Sequence, residues 1–176
     1  MFVVRSELVG GHSREWRTVF EPTSSLVLRA LDEPETLVRF DTFATRGRAR
    51  SSGGDPYLLL FGVMGTISVQ PAYAVAIEWE VLHLADVAAF EDAQRQLFET
   101  RRQYLPSFVF DWLLKRLDRD GQYLALGVYG DEEGLRLGQN HPEIQRFAAD
   151  HPPAAYAATT VGGARFFLVD SAITAR

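Results

Sequence analysis

The chain contains no cysteine, which excludes several kinds of chemistry together. Its 176 residues cannot form disulfides, present a thiolate nucleophile or hold zinc through sulfur. Lysine is almost absent as well, because Lys115 is the single lysine among 18 basic residues. The 23 acidic residues outnumber the basic ones and leave a net charge of −5. Since nucleic-acid binding needs clustered basic side chains to displace counterions from phosphate, no nucleic-acid partner is predicted.

Long apolar runs and leader patterns are also missing. No stretch reaches the ~18 apolar residues that a membrane-spanning helix needs, so no membrane association is predicted. The opening residues MFVVRSELVGG lack the basic segment and apolar core of a signal peptide, which favours the cytoplasm. An apolar content of 47% and a charged content of 23% are typical of globular proteins.

The motifs of several common enzyme classes do not occur in the sequence. There is no GxxxxGK[ST], GxGxxG or GxSxG pattern, so phosphate-binding loops and hydrolase elbows are not expected. The four histidines are His12, His83, His141 and His151. Because they show no HxH or HExxH spacing, no metal site is predicted. His141 is typical of a helix start and His151 of a loop, since each precedes a proline.

The second half of the chain carries the clearest structural pattern. Apolar side chains recur every three to four residues through 86–104, which predicts a helix that Asp86 begins and Pro106 ends. Strand patterns surround that helix at 74–83, 107–117, 122–129 and 156–169. The segment 131–150 predicts one broken helix or two short ones, and Gly162-Gly163 predicts a bulge in the last strand. The order β-α-β-β-α-β indicates an α+β, ferredoxin-like unit.

The first half repeats this order only in part. Strands are predicted at 2–9, 16–20 and 57–69 and from residue 26, with a flexible loop at 46–56. A helix start is predicted at 37–44, with a buried side formed by Leu37, Phe40, Phe43 and Ala44. We therefore predict a reduced ferredoxin-like unit at 1–73 and a full one at 74–176.

The strand at 107–117 is predicted to be apolar on both faces. Alternation places Phe108, Phe110, Trp112 and Leu114 on one face, and Val109, Leu113 and Leu117 on the other. Helices cover one face of a sheet, so the other face must meet a second sheet, from the first half or from another copy. This pattern predicts units packed sheet to sheet, a homo-oligomer through sheet faces as the alternative, and a ligand cavity between the sheets.

Segments of the second half resemble the dimeric α+β barrel superfamily, and within it the antibiotic-biosynthesis-monooxygenase-like proteins. These segments are FEDAQRQLFETRR on the helix, LPSFVFDWLLKR after it, and QYLALGVYGDEEGLR ahead of HPEIQRF. With the element order, the resemblance covers 74–169. It implies that two ferredoxin-like units lie in tandem in one chain and that the first unit is shortened. It also implies activities such as cofactor-free oxygenation of polycyclic phenols or haem degradation.

The resemblance also locates the residues that haem degradation would need. The haem-degrading members use an Asn on the first strand, a Trp closing the third strand and a His on the following helix. By pattern, those positions fall on Trp79, Tyr129 and about Ala148 in this chain. None of the residue types matches, so haem degradation is not expected and no cofactor is assigned.

Five residues are the candidates for a functional site. The predicted ligand-binding side chains are the aromatic residues Trp79, Trp112 and Tyr129, because such rings would line a cavity for a flat apolar molecule. Glu80 and His83 are the candidate catalytic residues, since either could deprotonate a substrate. Glu80 shares a strand face with Glu78, and pairing with arginine would make that face an ordinary structural one.

Two functions stay open on the sequence. The first is an enzyme of the monooxygenase-like kind that binds or oxidises a small aromatic molecule without a bound cofactor. The second is a non-enzymatic binding or assembly module whose aromatic residues fill the core. A pocket that converges on ionisable groups would favour the first, and close packing without such a pocket would favour the second.

Overall fold

The structure of the protein is a computed structural model, which describes residues 1–8, 22–51, 53–65 and 68–174. Its strands are β1 (Phe2–Leu8), β2 (Ser24–Ala30), β3 (Leu37–Phe43), β4 (Asp55–Met64), β5 (Tyr73–Val81), β6 (Phe108–Arg116), β7 (Gln122–Tyr129) and β8 (Ala158–Thr174). Its α-helices are α1 (Arg46–Ser51), α2 (Val87–Tyr104), α3 (Glu132–Asn140) and α4 (Pro142–Asp150). Across these described ranges, none of the helices has the length and hydropathy to cross a membrane.

The strands close into a single antiparallel barrel in the order β1-β3-β2-β8-β5-β7-β6-β4, with β4 returning to β1. The barrel interior is filled by side chains from both halves of the chain, including Leu28, Phe40, Leu126 and Phe167, each at most 1% exposed. A second apolar cluster lies outside the barrel, where α2, α3 and α4 cover the sheet of β5, β6 and β7. The fold is thus α+β, with a packed barrel, three helices on one side and the short α1 against β1 and β3.

The element order predicted for the second half is confirmed. The chain runs β5, α2, β6, β7, α3 and α4, then β8, with two short helices where one broken helix was the alternative. His141 separates those helices and caps α4, since its ring accepts a hydrogen bond from the backbone N–H of Glu143. The predicted bulge is present, because the β5–β8 register shifts opposite Gly162-Gly163.

The prediction of a helix start at 37–44 is wrong. Residues Leu37–Phe43 form strand β3, which pairs with β1 and β2. Phe40 points into the barrel, whereas Phe43 packs outside it against Val4 and Ala49. Apolar side chains on both faces of a strand imitate the three-to-four spacing of a helix, which explains the error.

Two further segments of the first half differ from expectation. The predicted loop at 46–56 contains the six-residue helix α1 and the start of β4. The strand predicted at 16–20 lies outside the described residues.

Strand β6 is apolar on both faces as predicted, but the face assignments of Phe108 and Val109 are wrong. A register shift between Phe108 and Phe110 places Phe108 with Leu113 on the helix side, whereas Val109 packs against the barrel interior. Phe110, Trp112 and Leu114 face the barrel interior. The irregularity rotates the strand by one residue, which simple alternation cannot anticipate.

Charged side chains close one end of the barrel. Arg5 pairs with Glu78 and, at 3.1 Å, with Glu7, which in turn lies 3.1 Å from Arg165. The arginine-paired alternative for the Glu78 face is therefore the one observed.

Candidate functional site

A cleft lies between the outer face of the sheet and helices α2 and α4; we call it the helix-side cleft. Its volume is about 160 Å³. The cleft is lined by Ile77, Trp79, Phe90, Ala93, Gln94, Leu97, Arg101, Ala125, Phe147, Ala148, His151, Pro153 and Tyr156. Strands β5 and β7 form the floor, α2 one wall, and α4 with the turn that follows it the other.

Aromatic rings give the cleft its shape. Trp79 and Phe90 meet edge to face at 5.9 Å between ring centroids, which fixes the floor against α2. On the opposite wall Phe147 stacks on His151 at 4.3 Å. Flat surfaces on two sides of a narrow space suit a flat apolar molecule.

Arg101 is the charged side chain of this lining. It lies on the stripe of α2 that faces the sheet and is 8% exposed. Its Nε donates to the carbonyl oxygen of Gly138 at 3.2 Å, and its Nη1 donates to Asp111 Oδ2 at 3.2 Å. These bonds use two of the five guanidinium N–H groups and hold the cation at the edge of the cleft.

Behind Arg101 lies a buried pair of oxygen-bearing side chains, Asp111 and Tyr129. Both are 0% exposed, and within the described ranges neither Asp111 Oδ1 nor the Tyr129 hydroxyl has a hydrogen-bond partner. Both atoms lie close to Gly127. A Cβ added to this glycine would lie 2.6 Å from Asp111 Oδ1 and 3.0 Å from the Tyr129 hydroxyl. Only glycine leaves room for both groups there.

Burial also changes the ionisation of this pair. Loss of solvation raises the pKa of Asp111 to about 6, although the nearby Arg101 guanidinium opposes the rise. Burial likewise raises the pKa of Tyr129, so its hydroxyl stays neutral in water near pH 7. The carboxyl of Asp111 can therefore hold or release a proton within the range of ordinary solutions.

His151 provides an imidazole ring on the opposite wall. Its Nδ1 lies 2.7 Å from the Tyr156 hydroxyl, and the two rings are nearly parallel at 6.5 Å between centroids. The cleft thus combines a fixed cation, an imidazole ring and flat apolar walls.

Comparison with known proteins gives structural relatives but no sequence relatives. No protein-family model and no curated protein matches the chain. A protein from Fusobacterium nucleatum, proposed to be a monooxygenase, has a TM-score of 0.71 at 7% identity, covering 98% of this chain and 94% of that one. A Listeria monocytogenes ferredoxin-fold protein related to antibiotic biosynthesis monooxygenases has a TM-score of 0.64 at 11% identity, with 97% and 94% covered.

A heme-degrading enzyme from Listeria monocytogenes also superimposes, with a TM-score of 0.63 at 13% identity, covering 96% of this chain and 99% of that one. The chain has the fold of monooxygenase-like, ferredoxin-fold proteins. This likeness extends over nearly the whole chain, whereas the sequence resemblance covered only its second half.

Within this monooxygenase-like fold, the predicted ligand residues separate. Trp79 lines the helix-side cleft. Trp112 lies in the barrel interior, stacked on Phe110 at 4.6 Å, and Tyr129 lies behind the cleft floor beside Asp111. The space between the sheets, where the sequence placed a ligand, is occupied by apolar side chains.

The two predicted catalytic residues lie away from the cleft. Glu80 is half-buried on the face of β5 opposite to Trp79, and His83 is exposed in the turn after that strand. Their predicted role as bases stays a prediction, and neither belongs to the lining of the helix-side cleft.

Sequence reasoning missed Arg101 and His151 as cleft residues. A signal for Arg101 was present, because it and Gln94 interrupt the apolar stripe of α2. His151 carries no comparable signal, since only the fold of the turn at Pro153–Tyr156 brings it over the cleft.

A larger groove of about 410 Å³ lies where α3 begins, beside Ser107. It opens broadly to solvent, and its carboxylates are already engaged. Asp131 accepts hydrogen bonds from the Gly134 N–H at 2.6 Å and from Ser107 at 2.9 Å, while Glu133 pairs with Arg136. Those bonds cap and stabilise α3, so the groove is a weaker candidate than the cleft.

Proposed function

We propose that the protein binds a small, flat, largely apolar organic molecule in the helix-side cleft. The observation that carries this proposal is the convergence of aromatic walls with Arg101 and His151 on one narrow space. Ligand sites are mostly apolar hollows with a few placed polar groups, and this cleft has that composition. Its volume of about 160 Å³ is about half of the roughly 300 Å³ at which drug-sized sites begin, so the ligand has one or two rings.

Haem does not fit this cleft. A porphyrin has four linked pyrrole rings, and the cleft has room for about half of a drug-sized molecule. His151, the histidine in the lining, has its Nδ1 engaged with Tyr156 and its ring stacked on Phe147. The residues that line this cleft therefore do not form a haem site.

Oxidation of the bound molecule is the second candidate function. The monooxygenase-like relatives share the fold, and the cleft supplies an imidazole for the first step, removal of a substrate proton by His151. Oxygen consumption with a panel of small quinols tests this function. A rate that stays at the level of the free quinol would contradict it while leaving binding intact.

Filling the cleft is expected to abolish binding. Ala148→Trp adds a large ring to the lining of the cleft, whereas Ala149, the next residue of α4, is exposed like Ala148 but is not part of the lining. At 100 times its dissociation constant a ligand adds about 2.7 kcal/mol, which raises the melting temperature of a protein of this size by roughly 5–10 °C. We expect small quinols to produce that shift in the unmodified protein and in Ala149→Trp, and to lose it in Ala148→Trp.

The same shift in both variants would show that the ligand binds elsewhere. No shift in any of the three proteins would exclude small quinols as ligands of the cleft. The purified proteins are compared without ligand first, so that any change in intrinsic stability is subtracted.

We further propose that the barrel consists of two ferredoxin-like units, 1–73 and 74–176. The strand order supports this division, because β4-β1-β3-β2 of the first part has the same pattern as β8-β5-β7-β6 of the second. The predicted homo-oligomer through sheet faces stays a prediction. Sedimentation of the intact protein at two concentrations measures it directly.

A further inference from the structure

Trp79, on the floor of the cleft, carries a hydrogen-bond donor on its indole ring. Its Nε1 is buried and has no partner within the part of the chain that the structure describes. The indole nitrogen can donate but cannot accept. A buried donor without a partner costs about 1–3 kcal/mol, so a ligand oxygen that accepts this bond would recover a large part of that cost.

Arg101 adds a second donor of fixed position and positive charge. Asp111 and the carbonyl oxygen of Gly138 hold the guanidinium from behind, on the side away from the cleft. Its remaining N–H groups suit a planar acceptor with two oxygens, because the guanidinium fork matches carboxylate geometry. Apart from Gln94, whose amide can both donate and accept, the polar side chains of the floor and of the α2 wall are therefore donors.

We propose that the helix-side cleft selects small aromatic acids, whose carboxylate is held by the remaining N–H groups of Arg101, and that Asp111 takes up a proton when the acid binds. This inference rests on the proposed function, since it names the class of ligand for the same cleft. The aromatic part of the ligand lies against Trp79 and Phe147, and its charge lies toward α2.

Asp111 takes up a proton because it and the ligand anion both interact with the cation of Arg101. Asp111 faces Arg101 from α2 and Tyr129 from β7, and these are the charged and titratable groups packed around it. A ligand anion on Arg101 weakens the attraction that keeps Asp111 ionised, so protonation of the carboxyl becomes more favourable. The proton has a defined place, because Asp111 Oδ1 is unpartnered and lies near the neutral hydroxyl of Tyr129.

Calorimetric titration with three probes of equal ring size tests the selectivity. The probes are 2-naphthoate, 2-naphthamide and naphthalene, which carry a charged acceptor, a neutral acceptor and none. We expect naphthoate to bind at least about tenfold more tightly than naphthamide, as hydrogen bonds to charged groups are the stronger ones.

Titration of naphthoate near pH 7 in two buffers of different ionisation enthalpy measures the proton uptake. We expect a fraction of a proton to be taken up per ligand, and none with Asp111→Asn. Asp92→Asn is the matched control, because Asp92 forms an exposed pair with Arg95 on α2 and should leave the uptake unchanged.

The outcomes separate the two proposals. Equal affinity for all three probes would overturn the acid selectivity and leave the cleft as a site for apolar rings. Tight naphthoate binding with no proton uptake, or with the same uptake in Asp111→Asn, would overturn the role of Asp111. Binding of none of the probes would overturn both the selectivity and the proposed function.

Discussion

Replacing Arg101 by methionine is expected to lower the free energy of unfolding by about 3–5 kcal/mol near pH 8, the range found when one partner of a buried ion pair is removed. Methionine fills a similar volume, so the loss comes from charge rather than from space. Asp111 is 0% exposed and would be left as a buried carboxylate without its cation. The carbonyl oxygen of Gly138 would lose its donor as well.

The loss is expected to be smaller near pH 5. Burial places the pKa of Asp111 at about 6, above that of the same group in the unfolded chain. A carboxyl with a raised pKa favours the folded state while it is protonated, and that contribution disappears as the pH rises through about 6. Removing Arg101 takes away the attraction that opposes the rise, so the protonated form is favoured over a still wider range.

Urea unfolding of four proteins at both pH values measures these effects. Arg102→Met is the control, because Arg102 follows Arg101 on α2 but is exposed and pairs with exposed Glu99. That variant should stay within about 0.5 kcal/mol of the unmodified protein. Adding Asp111→Asn to Arg101→Met should recover part of the stability, as no buried charge remains. Equal losses for the two arginine variants would show that Asp111 does not depend on Arg101.

Replacing Leu126 by alanine is expected to cost about 3–5 kcal/mol, because it opens a cavity in the closed interior of the barrel. Leu126 lies on β7, is 0% exposed, and packs among side chains contributed by both halves of the chain. Leu168→Ala is the matched control on β8, where the side chain is 38% exposed. Its cost should stay below about 1 kcal/mol, since exposed positions contribute little.

Equilibrium unfolding in urea, with the same slope for each variant, checks this expectation. The comparison also decides what the barrel interior is for. If Leu126→Ala were as stable as Leu168→Ala, the interior would be a loosely filled space, and the ligand position predicted between the sheets would again be favoured. A large loss at Leu126 alone agrees with a packed interior and a ligand site on the helix side.

The second half of the fold was predictable because each element carries a local signal. The stripe of α2, the Asp120-Gly121 turn before β7 and the glycine pair in β8 all act within a few residues. The first half was less predictable because β3 is apolar on both faces, and that pattern is shared by helices and buried strands. Only pairing with the neighbouring strand β2 and with the more distant β1 decides between them.

One residue of the cleft, Trp79, was predictable from the sequence, because its signal is also local: a large ring on a strand stands out in any sequence. Its partners in the cleft come from α2, α4 and the turn at Pro153–Tyr156, and their convergence depends on how the helices dock. Asp111 interrupts an otherwise apolar strand in the sequence, but its role depends on Arg101, which lies on another element.

The two seams that complete the barrel, β2 with β8 and β4 with β6, are both formed within one polypeptide. Tethering keeps the local concentration of each edge high for its neighbour whatever the amount of protein in solution. Dilution therefore does not separate these strand edges. The midpoint of the unfolding transition that separates them is independent of protein concentration. In a barrel assembled from two molecules, each sheet would need the second molecule to shield it. Here both sheets belong to one chain and shield each other permanently. The two halves of the barrel therefore need not be symmetric, and one half can differ in sequence from the other.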